Sequence, residues 1–274
     1  MIDGPFSRPV DGFDVGGCNV GDRLTFLGHS TVLVDLDGVR LLTDPLLGHM
    51  AGVVRRHVPA VLPETLSGLA AVFVSHGHWD HLDLASLRAL PGEPTLIVPV
   101  GLGRVVAKAA RGAVHELRAG DQIRVGSLTL EAVHAEHGRR RSLFTTAEGA
   151  LGILITGSTN VYFAGDTDLF LGMGQLAGRV DVALLPVGGW GPNLGRGHLD
   201  PLRAAEAAAR ISPAIAIPIH WGTLYPLGLR RVTGHRFSGP GDAFRDAVAV
   251  RAPAVNVRVL QPGQSMSLGG SVEL

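Results

Sequence analysis

The segment that decides the fold and the site is Ser75-His76-Gly77-His78-Trp79-Asp80-His81, which directly follows an apolar run. Its three imidazoles and one carboxylate are all metal-ligand types. In extended chain His76 and His78 point to the same side, so both can contact one ion. If the chain turns into a helix at Asp80, then Asp80 and His81 lie on the next turn and can contact a second ion. The segment predicts a metal site at the end of a strand.

The remaining ligands are expected where other apolar runs end in a ligand-type residue. Three such junctions are Gly165-Asp166-Thr167, His220-Trp221-Gly222 and His134-Ala135-Glu136-His137. Because the active site of an α/β protein usually lies at the carboxyl edge of its strands, we expect these side chains to converge with those of residues 75–81.

Apolar runs rich in β-branched residues and bounded by Gly, Pro and Asp recur along the chain, which is typical of strands. The predicted strands are residues 23–27, 31–36, 39–43, 71–75, 95–98, 127–133, 150–156, 161–164, 182–185 and 214–219. The predicted helices are residues 82–90, 102–111 and 200–211. Asp200 is the expected cap of the last helix, and Pro201 suits its first turn.

This order of elements predicts the fold class. Strands come first and then alternate with helices, which indicates an α+β fold of two stacked mixed β-sheets flanked by helices. We expect residues 1–274 to form one domain, with residues 1–20 peripheral to it. Residues 222–245 are rich in Gly, Pro and Arg and are predicted to form a long loop.

The HxHxDH segment with its downstream His, Gly-Asp and His resembles the metallo-β-lactamase superfamily. The flanking residues resemble more narrowly the branch that holds N-acyl phosphatidylethanolamine phospholipase D and the ascorbate-6-phosphate lactonase. The motifs concerned are Leu27-Gly28-His29-Ser30-Thr31, Leu42-Thr43-Asp44-Pro45, Gly165-Asp166-Thr167, His198-Leu199-Asp200-Pro201 and Ile219-His220-Trp221-Gly222-Thr223.

The resemblance implies an αββα sandwich, the metallo-β-lactamase fold, with two divalent metal ions. The implied ligands are His76, His78 and a third His for the first ion, Asp80, His81 and His220 for the second, and Asp166 between them. His137 fits the family's third His because it precedes a basic stretch, whereas His134 stands where the family commonly has proline. His134 remains the alternative ligand, and is otherwise expected to orient a ligand or face the substrate. Zinc suits these donors, and manganese and iron are chemically possible.

A binuclear centre predicts the reaction class. Two ions about 3.5–4 Å apart would activate a bridging hydroxide, which would attack a phosphodiester, a lactone or another ester. We place Asp80, Asp166 and His198 in the catalytic set, with His198 as proton donor to the leaving group or as a phosphate-binding group. Local packing is the alternative role for His198.

Other residues near these motifs have two interpretations each. His29 and Asp44 are expected to orient metal ligands, or to shape their turns. Trp79, Trp190 and Trp221 form an aromatic wall for the substrate, or pack beneath the site. Arg139 begins a run of three arginines that suits a phosphate or carboxylate, or that is simply a solvated charged stretch.

The composition narrows the functions that remain. The 24 basic and 24 acidic residues balance, which disfavours a nuclease or any other nucleic-acid partner. The single Cys, Cys18, excludes an intrachain disulfide and a Cys-rich zinc site. We find no secretory signal and no uninterrupted apolar run of membrane-spanning length, so we expect a cytoplasmic protein without a transmembrane segment.

We therefore predict a metal-dependent hydrolase of a small-molecule or lipid-like ester, with an anionic substrate favoured by the arginine run. A non-catalytic metal-binding sensor or scaffold of the same fold is the alternative. A nuclease is the less favoured alternative.

Overall fold

The computed structural model describes residues 21–52, 54–138, 149–189, 194–195, 197–227 and 239–268. The segment predicted to be peripheral, residues 1–20 with Cys18, lies outside these ranges. The described residues form the following strands, in chain order: β1 Arg23–Gly28, β2 Thr31–Leu36, β3 Val39–Thr43, β4 Met50–Ala51, β5 Val54–Arg56, β6 Ala71–Phe73, β7 Thr95–Pro99, β8 Val114–Leu117, β9 Gln122–Val125, β10 Leu128–Ala135, β11 Ala150–Thr156, β12 Val161–Phe163, β13 Val182–Pro186, β14 Ile215–Ile219, β15 Leu224–Pro226, β16 Asn256–Val257 and β17 Ser265–Ser267. The helices are α1 Leu84–Ala89, α2 Gly103–Val106, α3 Pro201–Ile211 and α4 Pro240–Arg251, with short 3-10 helices at Pro63–Leu66 and Leu171–Leu176.

The strands form two large mixed sheets and one small sheet. The first large sheet has the order β17-β1-β2-β3-β6-β7-β8 and the second has the order β16-β14-β13-β12-β11-β10-β9. In the first sheet β3, β6, β7 and β8 are parallel, and in the second β12, β13, β14 and β16 are parallel. Strands β15, β5 and β4 form the small sheet. The predicted pair of stacked mixed sheets is confirmed.

The central strands are buried on both faces because apolar residues of alternate positions serve different cores. In β11, Ile153 and Ile155 belong to the core between the two large sheets. Leu154, between them, belongs to the core under α3 and α4. A third core packs α1 and α2 against the outer face of the first sheet. The layers are therefore helix, sheet, sheet, helix.

The helix that follows β13 begins where the sequence indicates. The Asp200 side chain accepts a hydrogen bond from the Arg203 backbone N–H, and Pro201 occupies the first turn. The buried face of α3 is mostly alanine, which lets the helix approach the second sheet closely. The predicted helix at residues 102–111 is shorter than expected, because α2 spans only Gly103–Val106 before the chain continues in turns.

The prediction of a long loop at residues 222–245 is wrong at both ends. Strand β15 pairs with β5, and α4 begins at Pro240, while residues 228–238 lie outside the described ranges. Helix α4 has only three apolar residues larger than alanine, so its periodicity is weak in the sequence. Phe244 and Val248, one turn apart, are nevertheless fully buried, and their burial holds the helix against the sheet.

None of the helices in the described part of the chain has the length and apolar character needed to cross a membrane.

Burial of Phe244 predicts a large effect on stability. Phe244→Ala should lower the free energy of unfolding by about 3–5 kcal/mol, because it leaves a cavity under α4. The matched control on the same helix is Val250→Ala, since Val250 is 86% exposed, and this change should stay within about 0.5 kcal/mol. Denaturant unfolding followed by circular dichroism measures both. Equal effects of the two substitutions would mean that α4 does not pack as described.

Candidate metal centre

The ends of several strands bring the predicted ligand types together at one edge of the sheets. Residues 75–81 follow β6 in the first sheet, while Asp166 follows β12 and His220 follows β14 in the second. The two loops approach closely at Gly165, where an added Cβ atom would lie 2.8 Å from Ser75 Cβ. Gly165 also has a φ of +61°, so only glycine fits this contact without strain.

One group of donors consists of three histidines. His76 Nε2 lies 2.9 Å from His78 Nδ1, and His137 Nε2 lies 3.1 Å from the same His78 atom. Metal–nitrogen bonds of about 2.0–2.1 Å place two donors of one ion roughly 3 Å apart. The three nitrogens therefore have the spacing of ligands to one ion.

A second group contains a carboxylate and two histidines. His81 Nε2 lies 3.1 Å from His220 Nε2, and the Asp80 Oδ2 atom lies 3.7 Å and 3.8 Å from these two nitrogens. His29 joins the group through a 3.0 Å contact between its Nε2 and Asp80 Oδ2. All of these side chains are buried.

Asp166 is the residue that reaches both groups. Its Oδ1 lies 3.2 Å from His220 Nε2, and its Oδ2 lies 3.3 Å from His81 Nε2. Asp166 also has an oxygen within 4.8 Å of the donor atoms of His76 and His137. Its Oδ1 atom is buried without a hydrogen-bond partner among the described residues. A buried carboxylate oxygen in this state is costly unless it binds a cation.

His198 also contacts the carboxylate of Asp166, with its Nε2 3.4 Å from Oδ2. Its Nδ1 is buried and has no hydrogen-bond partner among the described residues. The side chain is 14% exposed, so part of the ring reaches the edge of the cluster although Nδ1 itself is buried.

Four of the histidines are oriented by acceptors for their Nδ1–H groups. His81 donates to Asp44 Oδ2 at 2.7 Å, His137 to the Gly197 carbonyl at 2.6 Å and His220 to the Gly188 carbonyl at 2.8 Å. The Ser75 hydroxyl donates to Asp44 Oδ2, so its oxygen accepts from His76 Nδ1 at 3.0 Å. With Nδ1 carrying the hydrogen, the Nε2 lone pair of each ring points into the cluster.

The pKa values follow from burial and from the concentration of charge. Burial, together with the neighbouring His81 charge, keeps the pKa of His76 well below its ordinary value, and burial with the His137 charge lowers that of His78 to about 4. Burial alone would raise the pKa of Asp166, but the charges of His220 and His81 outweigh it and hold that pKa well below its usual range. At neutral pH these groups are therefore in the forms that bind metal.

The pKa values of His81 and His29 are shifted in opposite directions. Burial lowers the pKa of His81, but the charges of Asp166, Asp80 and Asp44 outweigh it and raise that pKa well above its ordinary value. The three carboxylates therefore stabilise a positive charge next to them. Burial and the His220 charge lower the pKa of His29 to about 3, so a neutral His29 ring donates its Nε2–H to Asp80 and orients the carboxylate.

Backbone strain is concentrated at the same place. Among the described residues, His29, Asp44 and His220 are three of the five non-glycine residues with positive φ, at 55°, 35° and 63°. The strained conformation is held by hydrogen bonds: His29 N–H donates to Thr223 Oγ1, and His220 N–H donates to the His29 carbonyl. Such strain persists where surrounding structure enforces it, typically at functional sites.

The two histidines considered for the third ligand, His134 and His137, lie in different surroundings. His137 lies in the cluster, whereas the His134 side chain is 54% exposed and contacts Glu136 and the ring of Phe170 instead. His134 lines a cavity of about 640 Å³ on the outer side of the second sheet, beside Leu171 and Arg179.

The three tryptophans do not form one wall among the described residues. Trp79 packs against Gly52 and the small sheet, close to the cluster through its neighbours in sequence. Trp221 is buried under α4, where its indole N–H donates to the Pro218 carbonyl. This position favours the packing role for Trp221. Trp190 and Arg139 lie outside the described residues.

The donor set fits two divalent cations. Seven side chains of the cluster are potential ligands, which is more than the roughly four ligands that one zinc ion takes. They are those of His76, His78, Asp80, His81, His137, Asp166 and His220. Their division into two groups that share Asp166 fits two ions better than one. Four orienting groups were not predicted: the hydroxyls of Ser75 and Thr223 and the carbonyls of Gly188 and Gly197. Neither a lone hydroxyl nor a backbone carbonyl is marked by a local sequence pattern.

Comparison with known proteins decides the family. Residues 39–221, well over half of the 274 residues, match the sequence model of the Beta-lactamase superfamily domain. The chain belongs to this family. The matched part of the superfamily domain includes every residue of the cluster except His29.

Relatives within the superfamily support the narrower branch. A UPF0173 metal-dependent hydrolase of Desulforamulus reducens is 32% identical over 255 residues, which cover 90% of this chain and 100% of the relative. The N-acyl-phosphatidylethanolamine-hydrolyzing phospholipase D 1 of Caenorhabditis elegans is 31% identical over 253 residues, covering 83% of this chain and 70% of the relative. The predicted resemblance to the branch that contains this phospholipase D is confirmed.

Solved structures agree on the fold. Igni18, a metallo hydrolase of Ignicoccus hospitalis, superimposes with a TM-score of 0.67 at 23% identity, covering 89% of this chain and 97% of Igni18. The expected metallo-β-lactamase fold is therefore confirmed.

His134 within β10 and His137 just beyond it provide a matched test of the first group. His137→Ala should lower metal affinity by more than the 10–100-fold that loss of an outer hydrogen-bond partner causes, because it removes a donor. His134→Ala should leave affinity unchanged. Chelator competition, with bound metal quantified by elemental analysis, measures both. The reverse order of effects would exclude His137 as the third donor.

Asp44 predicts a different effect, because it orients ligands without reaching the ion. Its two oxygens accept from Ser75 N–H, Ser75 Oγ–H and His81 Nδ1–H, so Asp44→Asn forces an amide NH₂ against a donor in either orientation. We expect metal affinity to fall about 10–100-fold. Asp242→Asn, which alters an exposed ion pair with Arg245, is the control. Unchanged affinity in Asp44→Asn would argue against the orienting role.

Proposed function

We propose that the chain is a metal-dependent hydrolase with a binuclear centre that cleaves a phosphodiester, a lactone or another ester. The observation that carries this proposal is the position of Asp166, which lies against both groups of histidines and has a buried oxygen with no hydrogen-bond partner among the described residues. Family membership and the relatives named as metal-dependent hydrolases support it.

The proposed ligands are His76, His78 and His137 for the first ion, Asp80, His81 and His220 for the second, and Asp166 for both. When bound, two divalent ions supply a hydroxide nucleophile near neutral pH and polarise the ester. Zinc suits this nitrogen and oxygen donor set. Because the Nδ1–H groups are committed to Asp44, Ser75 and backbone carbonyls, the Nε2 atoms are fixed in position before any ion binds.

The chain's own residues divide the remaining work. His29 holds the Asp80 carboxylate through its Nε2–H. His198 is the proposed proton donor to the leaving group, because its ring is partly exposed at the edge of the cluster and its Nε2 contacts Asp166. A hydroxide nucleophile makes a Ser or Cys nucleophile unnecessary.

The substrate class rests on the relatives. The C. elegans relative is named for hydrolysing N-acyl-phosphatidylethanolamine, which favours a phosphodiester or another anionic ester here. Trp79 is the proposed aromatic contact for the substrate among the described residues, and Arg139 and Trp190 are proposed contacts outside them.

The test combines metal content with activity. The purified protein should hold close to two divalent ions per chain and hydrolyse at least one member of a panel of phosphodiesters, lactones and carboxylic esters. Removal of metal by a chelator should abolish the activity, and zinc should restore it. His78→Ala and Asp166→Ala should lose both metal and activity. His115→Ala, which alters an exposed histidine on β8, should lose neither.

Three results would contradict the proposal. A fully metallated protein that hydrolyses nothing in the panel would support the sensor or scaffold hypothesis. An Asp166→Ala variant that binds two ions normally would show that the ligand assignment is wrong. Cleavage of nucleic acid alone would support the nuclease hypothesis.

A further inference from the structure

The position of His137 in the cluster is not fixed by a strand of its own. It lies beyond the end of β10 and is only partly buried, whereas His76, His81 and His220 are buried at 4% exposure or less. Its orientation depends on the hydrogen bond from Nδ1–H to the Gly197 carbonyl, which comes from the chain between β13 and α3. Whatever fixes Gly197 therefore fixes His137.

The backbone of Gly197 lies directly against His137. An added Cβ atom at Gly197 would lie 2.7 Å from Gly138 N and 3.1 Å from His137 Cα, and the φ of Gly197 is +86°. Both facts require glycine at this position. Glycine gives close approach but no side chain to anchor the segment, so the anchor must come from another residue.

Asp168 supplies contacts to all the segments involved. Its Oδ2 lies 3.4 Å from Gly197 N, and its Oδ1 accepts from the Leu169 N–H at 2.7 Å and from the guanidinium of Arg203. Its backbone N–H donates to the Glu136 carbonyl at 2.8 Å, directly before His137. Asp168 thus joins the loop that carries Asp166, the end of β10 and the Gly197 segment.

Arg203 fixes the far side of this carboxylate. It lies in the first turn of α3, and its own N–H is capped by Asp200 at 2.8 Å. Because α3 packs on the second sheet through five buried residues, the guanidinium extends from a rigid element. The Arg203–Asp168 contact therefore transmits the position of the helix to the loop.

We propose that Asp168 and Arg203 form a positioning pair that holds the Gly197 carbonyl against His137 and so sets the direction of the His137 Nε2 donor. The pair acts through His137, and neither residue is assigned as a metal ligand or a catalytic residue. The inference rests on the proposed metal-binding role of His137.

A purely structural role makes a different prediction. The Arg203 side chain is 47% exposed, and an ion pair this accessible contributes little to stability. If the pair served only stability, its removal would change the melting temperature slightly and leave metal binding unaltered. Metal affinity and the spectrum of a bound metal therefore distinguish the two roles.

The experiment uses Asp168→Asn and Arg203→Met in the full chain. In both variants we expect one of the two bound zinc ions to be held about 10–100-fold more weakly, as is typical when an outer hydrogen-bond partner of a ligand is lost. The visible spectrum of the Co²⁺-substituted protein should change, while the melting temperature stays close to that of the unmodified chain. Arg203→Lys should restore affinity only in part, because an ammonium lacks the planar fork of the guanidinium.

The control is Arg210→Ala, which removes an exposed ion pair with Glu206 from the same helix. It should leave zinc affinity and the Co²⁺ spectrum unchanged. The inference is overturned if Asp168→Asn and Arg203→Met also leave both unchanged. It is equally overturned if both ions are lost in step with the melting temperature.

The two proposals fail in different ways. If the unmodified chain binds two ions but hydrolyses no ester, the proposed function fails and the positioning pair is still supported by the affinity data. If the unmodified chain binds no divalent ion, both proposals fail.

Discussion

The site depends on one constraint: imidazole lone pairs must point at a common centre, and each ring must be prevented from turning away. A histidine ring has two nitrogens, and the Nε2 lone pair is aimed only when Nδ1–H has a fixed acceptor. Asp44, Ser75 and the carbonyls of Gly188 and Gly197 provide these acceptors. The architecture around the cluster can be understood as the means of placing these four acceptors.

The two sheets make that placement possible because each contributes rigid strand ends to the same edge. The first sheet delivers Asp44 and residues 75–81, and the second delivers Asp166 and His220. The core between the sheets is built from closely packed buried apolar residues, so packing sets the relative position of the strand ends. The strained conformations of His29, Asp44 and His220 are tolerated because this packed scaffold over-determines them.

The anchoring of the donors is unequal across the cluster. His76 and His81 are oriented by Ser75 and Asp44, which lie in or next to buried strands of the first sheet. His137 is oriented by a carbonyl in an irregular segment, so its geometry depends on contacts made by that segment. We therefore expect the group that contains His137 to be the more sensitive to changes remote from the cluster.

The sequence by itself determined the donor types and most of their positions, because the spacing in residues 75–81 and the strand-end rule for Asp166 and His220 are local properties. It also determined the central strands of the two large sheets, since apolar runs rich in β-branched residues mark strands, and the cap of α3. Helix α4 was not predicted from the sequence, because only a few of its residues are buried, chiefly Phe244 and Val248. They lie within a stretch rich in charged residues and alanine.

Only the tertiary structure decided which of His134 and His137 joins the cluster and that Trp221 is buried under α4. Strand β10 ends between these two histidines, so their side chains face different directions. No local sequence pattern identifies the last residue of a strand. The orienting carbonyls were equally beyond the sequence, because every residue carries one and only the fold determines which carbonyl meets an imidazole.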